Sequence, residues 1–393
     1  MADFIQIENQ FTSGVYGKRD CCFVKGQGAV LWDSEGREYL DFGTGISVAN
    51  LGHCHPRLVK AIQQQAATLM TSPELGYNDR RAQLLQILAS ITPDGINRFF
   101  LCSSGTEAVE GCIKFAHIAT GRSKFVATMR GFHGRTIGSL AATHNKKYRE
   151  PFAALTPSFS HVPFNKVEKL AATVNDQTAA VIIELVQGEG GVRLADAEFV
   201  AAARNICDEH GAMLIVDEVQ TGFGRTGKMF ACDHFGVKPD LMSMGKAIAG
   251  GVPMGAIGIG DQIGELKPGL HGSTFGGNPL ACASALENIA ILTDEHLIEN
   301  SASQGEYFLK RLREIDSPEI REIRGIGLMI GVEMKSRVSP ILQAMMDAGF
   351  VVLNAGPTVV RFLPPLNITK QQIDSVIESF VGCLNNIQDM QTA

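Results

Sequence analysis

The sequence predicts an α/β protein with a mostly parallel sheet and a second, smaller α+β domain. Between about residues 52 and 294, apolar runs typical of strands alternate with helical patterns, which is the signature of βαβ units. The chain has 393 residues, which exceeds the size at which a single hydrophobic core usually stops growing. We therefore expect two domains.

The central part of the chain contains five short apolar runs that we interpret as strands. They lie at residues 98–102, 124–129, 179–186, 212–217 and 241–244. Helical patterns between them cover residues 106–119 and 197–209. Asp196 precedes the second of these helices and is a suitable N-cap.

The two ends of the chain are expected to form the smaller domain. Near the N-terminus, two apolar segments flank Ser34-Glu35-Gly36, a pattern typical of a hairpin. After the central part come long helical patterns, then further predicted elements: a strand-like segment at 322–334, a helix near 340–348, strands near 351 and 360, and a helix from about 369. We expect residues 1–50 and 295–393 to build the smaller domain beside a large domain of residues 51–294.

Composition and charge indicate a protein that acts on small substrates rather than one that binds nucleic acid or a membrane. The net charge of −6 provides no basic patch for nucleic acid or for a membrane surface. No segment has the pattern of a signal peptide or of a membrane span. The nine cysteines lack zinc-site spacing, so we expect reduced thiols, no metal site and a cytoplasmic location.

Lys246 and Asp217 are the leading candidates for catalysis. Lys246 follows one predicted strand, and Asp217 closes another. The carboxyl ends of parallel strands meet at one edge of a sheet, where open α/β folds bind ligands. A desolvated lysine amine there can form a Schiff base. A buried aspartate nearby suits the protonated ring nitrogen of a pyridoxal cofactor.

Two segments with small hydroxyl residues offer backbone donors to an anion. Ser103-Ser104-Gly105-Thr106 lies between a strand and a helix, where free N–H groups and the positive helix end suit a phosphate. A second turn, with Ser273 and Thr274, is glycine-rich and also precedes a helix. Taken alone, each motif is equally typical of an ordinary helix cap.

Aromatic, acidic and basic residues follow other predicted strands. Phe132 could stack on a flat ring and Arg135 could bind a carboxylate, although a core phenylalanine and a surface arginine are the alternative. Glu184 and Glu189 lie at a glycine-rich strand end. Arg361 lies in an apolar strand and needs an anionic partner, either a structural glutamate, a substrate carboxylate, or each in turn.

Together these motifs resemble those of the class III, ω-amino-acid aminotransferases, which are fold type I enzymes dependent on pyridoxal phosphate. The resemblance covers nearly the whole chain in the same order and rests on Ser103-Ser-Gly-Thr-Glu-Ala, Gly131-Phe-His-Gly-Arg, Gln187-Gly-Glu-Gly-Gly, Asp217-Glu-Val-Gln-Thr-Gly, Lys246 and His271-Gly-Ser-Thr-Phe-Gly-Gly-Asn-Pro. It implies a seven-stranded type of sheet in the large domain. Within the family, the sequence is most similar to acetylornithine aminotransferases and to enzymes acting on lysine or ornithine held by an amino-group carrier protein.

The resemblance implies a role for each cofactor-binding residue. Lys246 would hold the cofactor and then move protons as base and acid. Asp217 would pair with the pyridinium nitrogen. Phe132 and Val219 would contact the two faces of the ring, and Gln220 would bond the ring hydroxyl. The phosphate would be held by Ser104, Gly105 and Thr106. Thr274 would reach the phosphate of the neighbouring subunit, so a homodimer with shared active sites is expected.

The resemblance also implies two carboxylate-binding arginines. Arg135 matches the position that binds the carboxylate far from the reacting amine, and Arg361 matches the position that binds the α-carboxylate of glutamate. Glu189 would neutralise Arg361 while the ω-amine substrate is bound. The expected substrate-binding set is completed by Glu184, Ser273 and Tyr16.

The expected reaction moves a terminal side-chain amine to 2-oxoglutarate, or runs in reverse. N2-acetylornithine is the first expected donor, followed by a carrier-linked lysine or ornithine, and then by free ornithine, succinylornithine and 4-aminobutyrate. The segment 71–79 differs from the substrate loop of typical acetylornithine enzymes, which leaves the donor open. An aminomutase or racemase would share Lys246 and Asp217 but would not need the Glu189 and Arg361 pair. A non-catalytic binding protein would be expected to lack the lysine or the aspartate.

Overall fold

The computed structural model describes residues 3–392, with side-chain surroundings described through residue 385. Its helices are α1 (Phe4–Phe11), α2 (Thr44–Ser47), α3 (Pro56–Thr68), α4 (Asp79–Ile91), α5 (Gly105–Thr120), α6 (Ile137–Ala142), α7 (Lys146–Arg149), α8 (Val167–Thr173), α9 (Ala197–His210), α10 (Cys232–Phe235), α11 (Pro279–Asp294), α12 (Leu297–Arg313), α13 (Ser339–Asp347) and α14 (Lys370–Thr392). Within these residues, no helix is both long enough and apolar enough to cross a bilayer.

The strands are short, and about half of them are mostly buried. In chain order they are β1 (Phe23–Gln27), β2 (Val30–Asp33), β3 (Glu38–Asp41), β4 (Ile96–Cys102), β5 (Lys124–Thr128), β6 (Phe159–Val162), β7 (Thr178–Ile183), β8 (Val186–Gln187), β9 (Arg193–Leu194), β10 (Met213–Asp217), β11 (Leu241–Met244), β12 (Gly255–Gly260), β13 (Ile320–Ile326), β14 (Met329–Met334), β15 (Phe350–Val351), β16 (Leu353–Asn354) and β17 (Val359–Phe362). Three 3-10 helices cover Glu150–Leu155, Lys246–Ala249 and Asp261–Ile263.

The central sheet has seven strands in the order β4-β12-β11-β10-β7-β5-β6. The pairs from β11 to β6 are parallel, whereas β12 is antiparallel to both β11 and β4. The expectation of a mostly parallel, seven-stranded sheet is thus confirmed. The sequence analysis missed β12 because three of its six residues are glycine, a composition typical of loops.

Two four-stranded sheets flank the central one, in the orders β1-β2-β3-β15 and β13-β14-β17-β16. The pairing of β15 with β3 joins the C-terminal and N-terminal parts of the chain. The single strand expected at 322–334 is instead the hairpin β13–β14, because Gly327 adopts a φ of 53° and turns the chain. The expected domain limits at residues 50 and 294 remain a proposal.

Aromatic packing anchors β17 between the ends of the chain. The ring centroids of Phe362 on β17 lie 6.2 Å from Phe42 and 5.2 Å from Phe308 on α12. All three side chains are fully buried, which stabilises the fold by about 1.5–3 kcal/mol each. Since Arg361 precedes Phe362, this packing also fixes the position of that arginine.

A fully buried arginine, Arg225, links distant parts of the chain. Its Nε donates to Ser47 Oγ at 2.9 Å, and its Nη2 donates to Asn50 Oδ1 at 2.6 Å. Its Nη1 donates to the carbonyl oxygens of Leu328 at 2.9 Å and Pro364 at 2.6 Å. Burial lowers the pKa of Arg225 to about 9, because the hydrogen-bond acceptors are neutral.

We predict that Arg225→Met destabilises the protein, because it leaves these buried oxygen atoms without donors. The free energy of unfolding should fall by about 3 kcal/mol, measured by urea unfolding. The control is Arg321→Met, which removes an arginine whose side chain is 57% exposed. Equal unfolding midpoints for the two variants would contradict the structural role of Arg225.

Candidate active site

The predicted site residues of the central sheet lie at its carboxyl edge. Asp217 is the last residue of β10 and pairs with Ser243 on the parallel strand β11. Lys246 follows β11 after one turn residue, and Glu184 follows β7 directly. The sequence analysis had extended the β7 strand to residue 186, but the chain leaves the sheet after Ile183. Glu184 can therefore face the neighbouring loops.

Close glycine contacts bring the Lys246 turn against the start of α5. A Cβ atom on Gly245 would lie 2.9 Å from the Cα of Gly105, closer than real Cβ contacts. A Cβ atom on Gly105 would in turn collide with Val219. Glycine at both positions thus lets three segments that are distant in sequence meet. Burial lowers the pKa of the Lys246 amine, partly opposed by the charge of Glu189.

Asp217 is a buried carboxylate held by three hydrogen bonds. Its Oδ1 accepts from the backbone N–H of Val219 at 3.0 Å and from Ser243 Oγ at 2.9 Å. Its Oδ2 lies 2.7 Å from His133 Nδ1. Burial of His133 lowers the pKa of its imidazole, but the hydrogen bond to Asp217 and the nearby carboxylates outweigh this and raise it. Since a carboxylate accepts, the Nδ1–H of His133 is the donor in this hydrogen bond.

Glu184 joins the loops on the other side of His133. Its Oε2 accepts from the backbone N–H of Phe132 at 2.9 Å, and its Oε1 accepts from that of Gly188 at 3.3 Å. Burial raises the pKa of Glu184 to about 7, although His133 and these N–H groups act in the opposite direction. Glu184 thus holds the two loops that carry Phe132 and Glu189.

The start of α5 has the features of a phosphate-binding turn. Ser104 is the N-cap, and its Oγ accepts from the backbone N–H of Glu107 at 3.3 Å. The first-turn N–H groups, including those of Gly105 and Thr106, point away from the helix and have no intrahelical acceptor. Thr106 Oγ1 accepts from the backbone N–H of Arg135 at 3.3 Å, which joins this turn to the Gly131–Arg135 loop.

Arg361 and Glu189 form an ion pair near the site. The Nη2 of Arg361 lies 2.7 Å from Glu189 Oε1, and its Nη1 donates to Gln220 Oε1 at 3.2 Å. The Arg361 side chain is only 2% exposed, whereas that of Glu189 is 34% exposed. The arginine is therefore fixed, and the glutamate is the partner that can move.

Arg135 is exposed and lies on two aromatic rings. Its guanidinium carbon is 3.5 Å from the ring centroid of Tyr148 and 5.6 Å from that of Phe132. The part of the chain that the structure describes offers it no acidic partner within ion-pair distance. This arrangement leaves its planar face and donors available for an added carboxylate.

Three further predicted site residues lie in more exposed segments of the chain. Thr274 is exposed, and Ser273 Oγ accepts from the backbone N–H of Gly276 at 3.0 Å. Tyr16 is 78% exposed and lines a surface cleft of about 720 Å³ beside Leu353. Their assigned roles remain predictions within a single chain.

Sequence reasoning assigned no role to three residues that contact the predicted site. His133 is part of the Gly-Phe-His-Gly-Arg motif, and its position next to Phe132 could have indicated that its side chain points into the protein. Ser243 could have been found from the parallel pairing of β10 and β11. Tyr148 carried no signal, because only the folded chain places it under Arg135.

These residues fit pyridoxal phosphate. Lys246 supplies an amine of lowered pKa, Asp217 a buried carboxylate, and the start of α5 a turn with free donors. Val219 is half-buried against this turn, and Phe132 is half-buried beside Glu184. The set therefore combines every group that the cofactor's carbonyl, ring nitrogen and phosphate require.

Comparison with known proteins agrees with this chemistry. The family model for class-III aminotransferases matches residues 14–384. A Deinococcus radiodurans protein named [LysW]-aminoadipate semialdehyde transaminase is 52% identical over 388 residues, covering 98% of this chain and 90% of the relative. A Methanosarcina acetivorans acetylornithine aminotransferase is 46% identical over 375 residues, covering 95% and 94%. The structure is similar, with a TM-score of 0.95 and 32% identity, to a Toxoplasma gondii ornithine aminotransferase that contains pyridoxal phosphate, covering 100% of this chain and 95% of that one.

We predict that Lys246→Ala removes both cofactor attachment and turnover. Borohydride should no longer attach the cofactor covalently to the protein, and activity should fall at least about 10²-fold, since Lys246 is the base assigned to move the proton. Lys238→Ala, whose side chain is 65% exposed, is the matched control. Full activity of Lys246→Ala would overturn the assignment of this lysine.

We predict a pH-dependent effect of Glu184→Gln on stability. The pKa of Glu184 is raised from 4.5 to about 7 by folding, so its contribution is fully present below pH 4.5 and is lost as the pH rises through about 7. Glutamine mimics the protonated form. Thermal midpoints of variant and parent should therefore coincide near pH 4 and differ near pH 8, with the variant more stable at pH 8. A constant difference across this range would contradict the raised pKa.

Proposed function

Since this chain belongs to the class-III aminotransferases and its cofactor is pyridoxal phosphate, we propose that it transfers a terminal side-chain amine to 2-oxoglutarate. The products are a semialdehyde and glutamate. The Arg361–Glu189 ion pair beside Lys246 is the observation that carries this proposal. An enzyme that alternates between an amine donor and a dicarboxylate needs a carboxylate-binding arginine that can be covered and uncovered.

The donor we propose is a diamino acid whose α-amine is blocked, with a carrier-linked substrate first. The relative at 52% identity is named for a LysW-linked semialdehyde. N2-acetylornithine, placed first from the sequence alone, is the second candidate, because relatives at 46% identity are named for it. The unusual segment 71–79, in which Leu75 and Tyr77 are fully exposed, supports the carrier-linked donor.

When bound, pyridoxal phosphate supplies a reactive carbonyl carbon and an electron-withdrawing ring. In our proposal Lys246 would take a proton from the carbon that bears the donor amine and return it in a 1,3-proton shift. Asp217 would keep the ring nitrogen protonated, and His133 and Ser243 hold that carboxylate in place. Gln220 would bond the ring hydroxyl.

We assign the remaining cofactor contacts to five residues. Phe132 and Val219 would enclose the ring, while Ser104, Gly105 and Thr106 would bind the phosphate at the start of α5. These contacts would exclude water from the reacting carbon, which would strengthen the electrostatic effect of Asp217 and Lys246.

The substrate contacts divide between two arginines. Arg135, held flat on Tyr148, binds the distal carboxylate of glutamate or the carboxylate of the donor. Arg361 binds the α-carboxylate of glutamate once Glu189 has moved away. Glu189 returns when the ω-amine donor is bound, so that no uncompensated cation faces the donor. Glu184, Ser273 and Tyr16 are assigned to the substrate channel.

A homodimer with shared active sites is part of the proposal. Thr274 lies on an exposed loop beside Phe275, which is 65% exposed, and Met70 is 56% exposed nearby in the 69–77 segment. An apolar surface of this kind is typical of a subunit interface. In this arrangement Thr274 of one subunit contacts the phosphate bound to the other. We place the enzyme in the cytoplasm, since its nine cysteines are all free.

A panel of single half-reactions tests the donor. The holoenzyme's visible cofactor band is followed after addition of carrier-linked lysine, N2-acetylornithine, free ornithine or 4-aminobutyrate. We expect the carrier-linked amine to react fastest, with a kcat/KM at least about tenfold above that of free ornithine, a difference of ~1.4 kcal/mol.

The outcomes of this panel separate the two candidates. Preference for N2-acetylornithine would move the enzyme to the second candidate and leave the reaction type intact. No response to any ω-amine, with a normal response to glutamate, would contradict the proposed reaction itself.

A further inference from the structure

Two buried arginines lie on one face of the four-stranded sheet β13-β14-β17-β16, which we call the small sheet. A glycine lies between them. Gly331 on β14 pairs with Arg324 on β13 and with Arg361 on β17. Residues directly opposite each other on paired strands project from the same face. Arg324 and Arg361 therefore project from the same face of the sheet, on the two strands that flank β14. Each is at most 9% exposed.

The glycine between them receives Val192, from the loop that carries Glu189. A Cβ atom on Gly331 would lie 3.0 Å from the Cβ of Val192, so any larger residue would push this loop away. Val192 is fully buried and adopts a φ of 53°, a conformation that is unfavourable for a β-branched residue. The surrounding packing must hold the loop in this conformation.

Arg324 supplies a polar contact that holds the same loop. Its Nε donates to the carbonyl oxygen of Gly191 at 2.7 Å. Its Nη1 donates to Glu333 Oε2 and to Glu322 Oε2, each at 2.6 Å. The two glutamates on β13 and β14 therefore fix the guanidinium of Arg324. The guanidinium in turn holds the loop backbone at Gly191.

We infer that Arg324 is a positioning residue that fixes the backbone of the Glu189–Val192 loop, so that Glu189 leaves and rejoins Arg361 by side-chain rotation alone. One arginine holds the loop's carboxylate and the other holds its backbone. This inference rests on the proposed movement of Glu189 between contact with Arg361 and release from it. It adds Arg324 as the residue that sets how often Glu189 covers Arg361.

Loss of the Arg324 contact has a directional consequence. Without the hydrogen bond to Gly191, the strained backbone at Val192 relaxes and carries Glu189 away from Arg361. Arg361 is then uncovered in both half-reactions. Binding of the ω-amine donor becomes weaker, because an uncompensated cation faces it, whereas binding of glutamate does not.

The test compares Arg324→Gln with the parent holoenzyme in the two separate half-reactions. The KM for the ω-amine donor should rise about three- to tenfold, the effect of losing one such hydrogen bond, while the KM for glutamate should not rise. The visible absorption of the cofactor should be unchanged. Arg324→Lys, which keeps the charge beside Glu333, should show a smaller change in the ratio of the two KM values.

Two further variants complete the design. Arg321→Gln removes the other β13 arginine beside Glu333, whose Nη1 lies 3.4 Å from Glu333 Oε1, and should leave the KM ratio unchanged. Glu189→Gln tests the alternation itself and should raise the donor KM in the same direction. An altered ratio in Glu189→Gln but not in Arg324→Gln would overturn the inference and leave the function standing.

The remaining outcomes are equally decisive. If Glu189→Gln leaves the ratio of the two KM values unchanged, Glu189 does not cover Arg361 during donor binding, and the proposed alternation is contradicted. If Arg324→Gln lowers kcat and raises both KM values in parallel with a loss of stability, Arg324 is only structural and the inference fails.

Discussion

Asp217 is the buried charge on which the arrangement of the site depends. A carboxylate at this depth is tolerated only when donors surround it, and here they come from three elements: the imidazole of His133, the hydroxyl of Ser243 and the chain turn at Val219. Each donor fixes its own segment relative to β10. The compensation of one charge thus aligns the loop after β5, the strand β11 and the turn that bears Gln220.

Close backbone contact is the second constraint, and glycine meets it at each junction. Gly105 and Gly245 let the start of α5 and the Lys246 turn approach Val219, and Gly188 lets the loop that carries Glu189 approach Gln220. Gly331 has the same role for Val192 in the small sheet. A site assembled from six sequence-distant segments is possible because these contacts need no space for a side chain.

Much of the fold was predictable because strand ends carry their chemistry in the local sequence. Lys246 and Asp217 were assigned to one sheet edge from apolar runs that end in polar residues, and the structure places both there, with Glu184 at the end of the neighbouring strand β7. Features that depend on long-range contact were not predictable. Strand β12 resembles a loop until β4 and β11 are beside it, and Tyr148 gains a role only when Arg135 lies on its ring.

The contacts of Arg225 have a consequence for how the protein is made. This residue joins Ser47 and Asn50 near the start of the chain to Leu328 and Pro364 near its end, and Ser47 Oγ donates to the backbone carbonyl of Gln220 at 3.3 Å. During synthesis, the central sheet can form before the ribosome has released the last strands. The turn at Gln220, which follows Asp217, cannot be fully supported until Pro364 emerges. A nascent chain should therefore acquire its fold early and its catalytic competence only at the end of translation.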